Sequence, residues 1–252
     1  MKLAALATPL LRGALDLLLP RACVACDRPL DGDEPGIVCG RCWSRVIPLP
    51  SPRCERCGHP RRRGDCRWCD LLPPFVRAVR SVCWLPGGTA GPIVHALKYG
   101  GWTATASGMA ARMARLDWPA DVLAERTALI PIPLARSRAR ERGFNQSELL
   151  ASALAERWRV PVWTNLVERA RATETQTRLT PAERSSNVAG AFRATEAAHS
   201  ILRGTHVVLV DDVVTTAATL NACADALFAA GARILSYVTF GRAPASGDRT
   251  GP

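Results

Sequence analysis

The sequence is poor in lysine and lacks any long apolar run. Lysine occurs only at Lys2 and Lys98, so arginine carries nearly all of the positive charge. No segment approaches the roughly 18 uncharged apolar residues that a membrane-spanning helix needs, because Arg12 and Asp16 interrupt the apolar N-terminal segment. We therefore expect no transmembrane segment and no export signal, and we expect the protein in the cytoplasm.

The chain carries a formal net charge of +11. A basic surface attracts the phosphates of nucleic acids or of small ligands. A GC-rich coding sequence also raises the arginine content without any ligand. The charge alone therefore leaves both interpretations open.

Ten cysteines are distributed unevenly, since eight lie between Cys23 and Cys69 while Cys83 and Cys223 stand alone. The eight form four Cys-x2-Cys pairs. A two-residue gap lets both thiolates point at one ion, and two pairs complete a tetrahedral site, so the pattern predicts two structural zinc ions. The predicted ligands are Cys23, Cys26, Cys39, Cys42, Cys54, Cys57, Cys66 and Cys69.

The order in which these pairs share the ions stays open at this point. Sequential pairing needs the shortest loops, and a cross-braced arrangement would use the same residues. A disulfide framework is the main alternative, but it needs an oxidising compartment. The segments between the pairs are too short to form a core, so we expect the ions to supply it. Saturated thiolate shells would leave no position for catalysis.

Arginines are dense in the second half of this module, with Trp43 and Trp68 close by. Arginines beside aromatic rings can hold single-stranded DNA through phosphate contacts and base stacking. They can equally form a solvated rim. The arginines concerned are Arg53, Arg56, Arg61, Arg62, Arg63 and Arg67.

Beyond Cys69, apolar strand patterns alternate with helical ones. The predicted strands cover residues 75–85, 128–132, 206–210 and 233–240. The predicted helices include residues 93–97, 103–116, 145–158 and 216–230. Residues 165–192 show no clear period. Strands that alternate with helices predict an α/β fold with a mainly parallel sheet.

The strongest chemical signal is the thirteen-residue segment Val207–Thr219. Four buried apolar residues lead to Asp211 and Asp212 at the carboxyl end of a strand, where parallel sheets bind their ligands. Unpaired buried carboxylates are costly, and the vicinal hydroxyls of a ribose would satisfy both. A helix cap would explain Asp212 but hardly Asp211.

Small residues follow the two aspartates and open the next helix. Free backbone N–H groups, hydroxyl donors and the helix dipole make such a turn suitable for a phosphate. One ligand explains both halves of the segment, namely a ribose that carries a 5-phosphate. The predicted phosphate-binding residues are Val213, Thr215, Thr216, Ala217, Ala218 and Thr219.

This segment resembles the signature of the phosphoribosyltransferase family at almost every position. Members often have glycine where this chain has Ala217, which limits backbone approach to the phosphate. Purine-salvage members often have an acidic residue where this chain has Thr215, which argues against a hypoxanthine or guanine substrate.

The whole chain is similar to the competence protein ComF family. The resemblance spans about residues 14–240 and is carried by His95–Gly101, Ile130–Leu134, Arg142–Ser147 and the Asp211 segment. It extends to Gln176, Leu179, Arg184, Asn187, Val188 and Phe192. It implies a double zinc ribbon before a phosphoribosyltransferase fold, and a role in the uptake or processing of transforming DNA in some members.

Pyrophosphate would need cations near the same edge of the sheet. A turn after Pro133 would present several arginines there, and the planar guanidinium suits pyrophosphate. We expect Arg142 and Asn145 to contribute, although both also fit an ordinary helix start. Lys98 and Arg184 are further candidates, and Mg²⁺ would accompany the diphosphate.

Four segments follow from these patterns. We predict an N-terminal helix in residues 1–20 that packs on its own protein. A double zinc ribbon would cover residues 21–70 and a phosphoribosyltransferase-like domain residues 75–241. A disordered tail would occupy residues 242–252.

Two functions remain open from the sequence. The first is an enzyme that transfers ribose 5-phosphate from 5-phosphoribosyl-1-pyrophosphate to an unidentified nitrogen nucleophile. Asp211 and Asp212 would hold the ribose. The second is a non-catalytic protein whose pocket recognises a nucleotide or a DNA end, while the zinc ribbons bind single-stranded DNA or a DNA-uptake protein.

Overall fold

A computed structural model describes residues 21–30, 36–60, 66, 68–171 and 190–244. The predicted N-terminal helix and residues 245–252 of the predicted tail lie outside this range. None of the helices that the structure describes is long and apolar enough to cross a membrane.

The first part of the chain contains little regular structure. One short helix, α1 (Gly40–Ser44), is capped by Cys39, whose Sγ accepts a hydrogen bond from the backbone N–H of Cys42. A single 3-10 turn follows at Cys69–Leu71. The cysteine pairs lie on these turns and on the loops beside them.

The larger part alternates strands and helices, as predicted. Its elements in chain order are β1 (Val76–Trp84), α2 (Ala90–Tyr99), α3 (Thr105–Met113), α4 (Ala120–Glu125), β2 (Arg126–Pro131), α5 (Arg136–Arg142), α6 (Gln146–Trp158), β3 (Val167–Arg169), β4 (Phe192–Ala194), α7 (Glu196–Ile201), β5 (His206–Val214), α8 (Ala218–Ala229) and β6 (Ile234–Arg242).

Four of the strands form one parallel sheet in the order β1-β6-β5-β2. β3 and β4 form a separate antiparallel pair. The central strands β5 and β6 are almost wholly buried, as expected for a parallel sheet that is covered on both faces. The fold is therefore α/β with a mainly parallel sheet.

Side chains of β5 divide the core into two layers. Val208 and Val210 pack with residues of α2, α3 and α6 on one face. Val207 and Leu209 pack with residues of α7 and α8 on the other. This alternation follows from the two-residue period of a strand, and it leaves the carboxyl end of β5 between the two helical layers.

Both halves of the cysteine-rich segment, which contain the first four and the last four clustered cysteines, cover the open edge of β1. The backbone N–H of Leu49 donates to Val82 O at 3.1 Å, and that of Val79 donates to Arg56 O at 2.8 Å. Gly58 lies so close to β1 that a Cβ atom there would collide with Val79 O. The edge strand is thereby shielded from pairing with another chain.

The cysteine module also shares the core of the larger domain. Cys23, Cys39 and Cys42 are buried on the face of α2 and α3, whereas Cys57 and Trp68 are buried on the opposite face. The expectation that the ions alone would supply its interior was wrong, because apolar side chains of the module pack against the sheet.

Helices α4 and α7 and strands β3 and β4 were not predicted from the sequence, and two details near the aspartates also differ from the prediction. The segment after Pro133 is not simply a turn, since it continues into helix α5. Strand β5 continues past the aspartates to Val214 because Val213 and Val214 pair with Gly241 and Arg242 of β6. The aspartates therefore lie inside the last part of the strand.

Candidate functional site

The eight clustered cysteines form two groups of four. Cys23, Cys26, Cys39 and Cys42 make the first group, and Cys54, Cys57, Cys66 and Cys69 make the second; within each, all sulfur atoms lie within 4.8 Å of one another. The pairing is therefore sequential and not cross-braced.

The sulfur distances fit a four-coordinate zinc ion. A zinc–sulfur bond of about 2.3 Å in a tetrahedron separates the sulfurs by roughly 3.8 Å. The Sγ atoms are 3.8 Å apart in Cys26 and Cys39, and 3.3 Å apart in Cys57 and Cys66. These distances exceed a disulfide bond of about 2.05 Å by far. Each group supplies four thiolates, so the sites are structural.

The two aspartates of β5 make different contacts. Asp211 Oδ1 accepts a hydrogen bond of 2.8 Å from Ser147 Oγ and one of 2.9 Å from the backbone N–H of Asp212. The Asp212 side chain is 4% exposed, and its Oδ2 lies 2.7 Å from Lys98 Nζ. Apart from this ion pair, Asp212 Oδ2 has no hydrogen-bond partner among the described residues.

The turn between β5 and α8 is short and contains one unusual backbone conformation. Ala217 has φ 62° and ψ 4°, which lies in the left-handed region that favours glycine. It is buried at the start of α8, whose first residue is Ala218. Helix α8 has 12 residues and begins four residues after the last residue of β5, so the positive end of its dipole and its first free N–H groups lie close to the end of that strand.

Thr216 leaves a polar atom unsatisfied in this turn. Its Oγ1 is buried and has no hydrogen-bond partner within the described ranges. Thr215 and Thr219 are half-buried beside it, and Val213 is half-buried in the strand. A buried hydroxyl without a partner is costly, and it marks a position where a ligand atom would be stabilising.

The structure brings only some of the residues predicted to bind pyrophosphate close to the aspartates. Lys98 reaches Asp212, as described above. Arg142 Nη1 donates to Gln146 Oε1 at 2.6 Å, and its guanidinium lies 5.3 Å from the ring of Tyr99. Asn145 caps α6: its Oδ1 accepts from Ser147 N and its Nδ2 donates to Ile132 O. Arg184 lies outside the described residues.

The charges around the aspartates influence one another. Burial raises the pKa of the Asp211 carboxyl, while the nearby Lys98 ammonium opposes this effect. Burial lowers the pKa of Lys98, and the neighbouring guanidinium groups of Arg142 and Arg138 lower it further. Lys98, Arg138 and Arg142 are therefore close enough for their positive charges to repel one another.

Sequence reasoning missed two side chains near the aspartates. Ser147 Oγ donates a hydrogen bond to Asp211, and its position at the end of the motif Arg142–Ser147 could have indicated a place near the site. Arg169 of β3 lies close enough to Asp211 for their charges to interact. No local pattern indicated Arg169, because its position depends on how β3 packs.

The aromatic residues proposed for base stacking are not available for it. Trp68 is 5% exposed and lies under the guanidinium of Arg242. Trp43 is half-buried, with Arg112 3.7 Å from its ring. Arg56 uses its guanidinium to hold the carbonyls of Val76, Cys69, Leu72 and Pro73. Arg61, Arg62, Arg63 and Arg67 lie outside the described residues.

Comparisons with known proteins agree with this architecture. Residues 14–72 match the double zinc ribbon domain and residues 145–249 the phosphoribosyl transferase domain. The chain is 34% identical over 227 residues to the DNA utilization protein YhgH of Escherichia coli K12, covering 86% of this chain and 94% of that protein. It is 38% identical over 94 residues to Competence protein F of Haemophilus influenzae, covering 37% and 41%.

Among solved structures, adenine phosphoribosyltransferase from Thermoanaerobacter pseudethanolicus aligns with a TM-score of 0.33 and 15% identity, over 69% of this chain and 99% of that one. Glutamine phosphoribosylpyrophosphate amidotransferase from B. subtilis aligns with a TM-score of 0.33 and 17% identity, over 53% and 25%.

The sheet, the turn after β5 and the two cysteine groups together define a protein with the phosphoribosyltransferase fold and an N-terminal double zinc ribbon. The chain belongs to the ComF family, as its match to nearly the full length of the DNA utilization protein shows.

Proposed function

We propose that this protein binds 5-phosphoribosyl-1-pyrophosphate, or a closely related ribose phosphate, at the turn between β5 and α8. One observation carries the proposal. The last part of β5 holds a buried carboxylate oxygen of Asp212 whose only partner among the described residues is Lys98. The turn that follows holds a buried hydroxyl of Thr216 with no hydrogen-bond partner there. A ribose phosphate would satisfy both groups.

Each part of the ligand has a suitable set of groups. Asp211 and Asp212 would accept hydrogen bonds from the two ribose hydroxyls. The 5-phosphate would bind the N–H groups and hydroxyls of residues 215–219 at the N-terminus of α8. Support for the pyrophosphate comes from Lys98, Arg138 and Arg142, whose charges lie close together.

Lys98 would release Asp212 when the ligand binds. Its ammonium would then move towards the negatively charged pyrophosphate, which lies on the neighbouring carbon of the ribose. Asn145 would contribute by fixing the start of α6 and thereby the hydroxyl of Ser147 beside Asp211. This role corresponds to the helix-start interpretation of Asn145.

Magnesium would arrive with the diphosphate. Carboxylate and phosphate oxygens are the ligands that Mg²⁺ prefers. Within the described part of the chain, only the cysteines gather as a potential metal site, so most Mg²⁺ ligands would be pyrophosphate oxygens and water. The ion would neutralise charge on the leaving group.

The proposed reaction is the transfer of ribose 5-phosphate to a nitrogen nucleophile. The nitrogen forms a bond to the anomeric carbon and loses a proton, while the bond from that carbon to pyrophosphate breaks. The carboxylates of Asp211 and Asp212 would stabilise the positive charge that develops on the ribose. Cys83 and Cys223 are unsuitable as glutaminase nucleophiles because burial raises the pKa of both thiols.

A second candidate is a binding protein without turnover. Purine-salvage enzymes often have an acidic residue near the base where this chain has Thr215. The lack of that residue favours a protein that binds without turnover. The pocket would then recognise a nucleotide or a DNA end. In either case we propose a role in DNA uptake or use, since relatives are named for competence and DNA utilization. Eight zinc-binding thiolates suit the reducing cytoplasm.

The two candidates differ in the fate of the diphosphate. Purified protein is titrated calorimetrically with 5-phosphoribosyl-1-pyrophosphate and Mg²⁺, and pyrophosphate release is followed with a panel of nitrogen acceptors. Turnover that is lost in Asp211→Asn supports the enzyme. Saturable binding without release on any acceptor supports the binding protein, and the absence of binding would overturn both.

A further inference from the structure

A second group of cations lies outside the turn after β5, at the junction of the second zinc ribbon and the sheet. Arg53, Arg80 and Arg115 line a cavity of about 380 Å³ there, together with Cys54 and Asp117. Arg53 belongs to the zinc ribbon, Arg80 to β1, and Arg115 to the segment after α3. The cavity therefore exists only where the two domains meet.

Arg80 is the most constrained of the three arginines. It is 8% exposed, its Nε donates to Asp117 O at 2.6 Å, and its Nη1 donates to Val79 O at 3.0 Å. Both acceptors are uncharged carbonyls. No carboxylate lies within ion-pair distance of its guanidinium in the described part of the chain. Burial lowers the pKa of the Arg80 guanidinium, and the charges of Asp117 and of the Cys57 thiolate oppose this only in part, so an anion in the cavity would stabilise the cation further.

The other two arginines are equally without carboxylate partners among the residues described. Arg53 Nε is buried and has no hydrogen-bond partner there. Arg115 is exposed at the rim, and its guanidinium makes no ion pair or hydrogen bond with any described side chain. Arg53 and Arg115 therefore bring hydrogen-bond donors without a described partner to the cavity that Arg80 also lines.

Nearby carboxylates offset this charge only in part. Glu55 and Asp121 both bind Arg77, at 2.8 and 2.6 Å. The remaining acidic side chain on the wall is that of Asp117, which is exposed. The planar guanidinium group matches the oxygens of a phosphate and can bind two of them at once.

We infer that this cavity is an oxyanion site that binds a phosphate group between the second zinc ribbon and the sheet. The phosphate could be free inorganic phosphate or part of a nucleic-acid backbone, because both present the same oxygens. The site is separate from the proposed ribose-phosphate site and does not depend on it. An anion there would also attach the zinc ribbon more firmly to β1.

The test uses the double variant Arg53→Gln/Arg115→Gln, which leaves buried Arg80 in place. The matched control is Arg203→Gln/Arg157→Gln, which removes two exposed arginines elsewhere. The zinc content of each variant is measured first, since Cys54 adjoins the cavity. Thermal unfolding is then followed with increasing inorganic phosphate against chloride at constant ionic strength.

In the wild type and the control, phosphate at ten times its Kd should raise the unfolding midpoint by roughly 3 to 6 °C. The rise should persist in Thr216→Val. It should fall clearly in the double variant, where only phosphate bound at the turn after β5 can still contribute. A rise that is lost only in Thr216→Val would assign the phosphate to the turn after β5 and overturn the inference. An unchanged rise in the double variant would overturn it as well.

A single-stranded thymidine octanucleotide distinguishes the sources of the phosphate. If its affinity falls at least about 5-fold in the double variant but not in the charge-matched control, the site binds a nucleic-acid backbone. If the affinity for the octanucleotide is the same in the double variant as in the wild type, while the effect of inorganic phosphate on the unfolding midpoint is reduced, the site binds the free anion.

Discussion

The zinc-binding cysteines and Arg56 of the ribbons bury polar groups that have partners, whereas the turn between β5 and α8 buries a hydroxyl that has none among the described residues. In the ribbons, each clustered cysteine lies beside three others that can bind the same zinc ion. The guanidinium of Arg56 donates hydrogen bonds to four backbone carbonyls. In the turn, Thr216 Oγ1 has no hydrogen-bond partner within the described residues. The bonded groups of the ribbons indicate a structural role, and the partnerless hydroxyl of Thr216 beside the aspartates indicates where a ligand belongs.

The largest expected effect concerns the ribbons. Cys57→Ser should lose one of two zinc ions and show the greatest fall in unfolding midpoint, because metal binding supplies the folding free energy of such modules. Zinc content and thermal unfolding measure both effects. Cys83→Ala is the control, since this buried cysteine lies outside both groups. Two bound zinc ions in Cys57→Ser would contradict the structural assignment.

The next effect concerns the ion pair of Lys98 with Asp212. Lys98→Met should destabilise the ligand-free protein by about 2 kcal/mol, because it leaves a buried carboxylate without a counter-charge. Adding Asp212→Asn should recover most of the lost stability, because it removes the unpaired charge. The affinity for 5-phosphoribosyl-1-pyrophosphate should stay weak in the double variant. Denaturant unfolding of the single and double variants measures the stability. A single variant as stable as the wild type would show that Asp212 is satisfied in another way.

Thr216→Val tests the turn itself. The substitution keeps the shape and removes the unsatisfied hydroxyl, so the free protein should be as stable as before or up to about 1 kcal/mol more stable. Affinity for the diphosphate should fall about 10-fold. The control is Thr127→Val, whose hydroxyl lies on an exposed part of β2. Unchanged affinity would remove Thr216 from the proposed site.

The smallest effect is expected at Ala217. A left-handed conformation costs a residue other than glycine about 1 kcal/mol, so Ala217→Gly should stabilise the folded turn by up to that amount. The greater flexibility of glycine in the unfolded chain offsets part of the gain. Urea unfolding measures the difference, and a clear loss of stability would show that the methyl group of Ala217 has a packing role.

Local sequence patterns predicted the elements well where the chain folds on itself over a few residues. The strand, turn and helix around Asp211 and the grouping of the cysteines both follow from short spacings. The sequence could not predict that Val213 and Val214 would extend β5. That extension depends on pairing with Gly241 and Arg242 of another strand.

Contacts between distant segments were not predictable for the same reason. The ion pair of Lys98 with Asp212 arises because α2 packs on the face of the sheet to which Val208 and Val210 of β5 also contribute. Trp43 and Trp68 looked available for base stacking, yet both pack at the junction with the larger domain. A spacing rule describes neighbours along the chain, whereas these contacts depend on the final packing.

The most direct measurement is a crystal structure of the protein with 5-phosphoribosyl-1-pyrophosphate and Mg²⁺. The account predicts the ribose hydroxyls on Asp211 and Asp212, the 5-phosphate against Thr216 and the start of α8, and Lys98 moved from Asp212 to the pyrophosphate. A ligand bound elsewhere, with the ion pair of Lys98 and Asp212 intact, would contradict it.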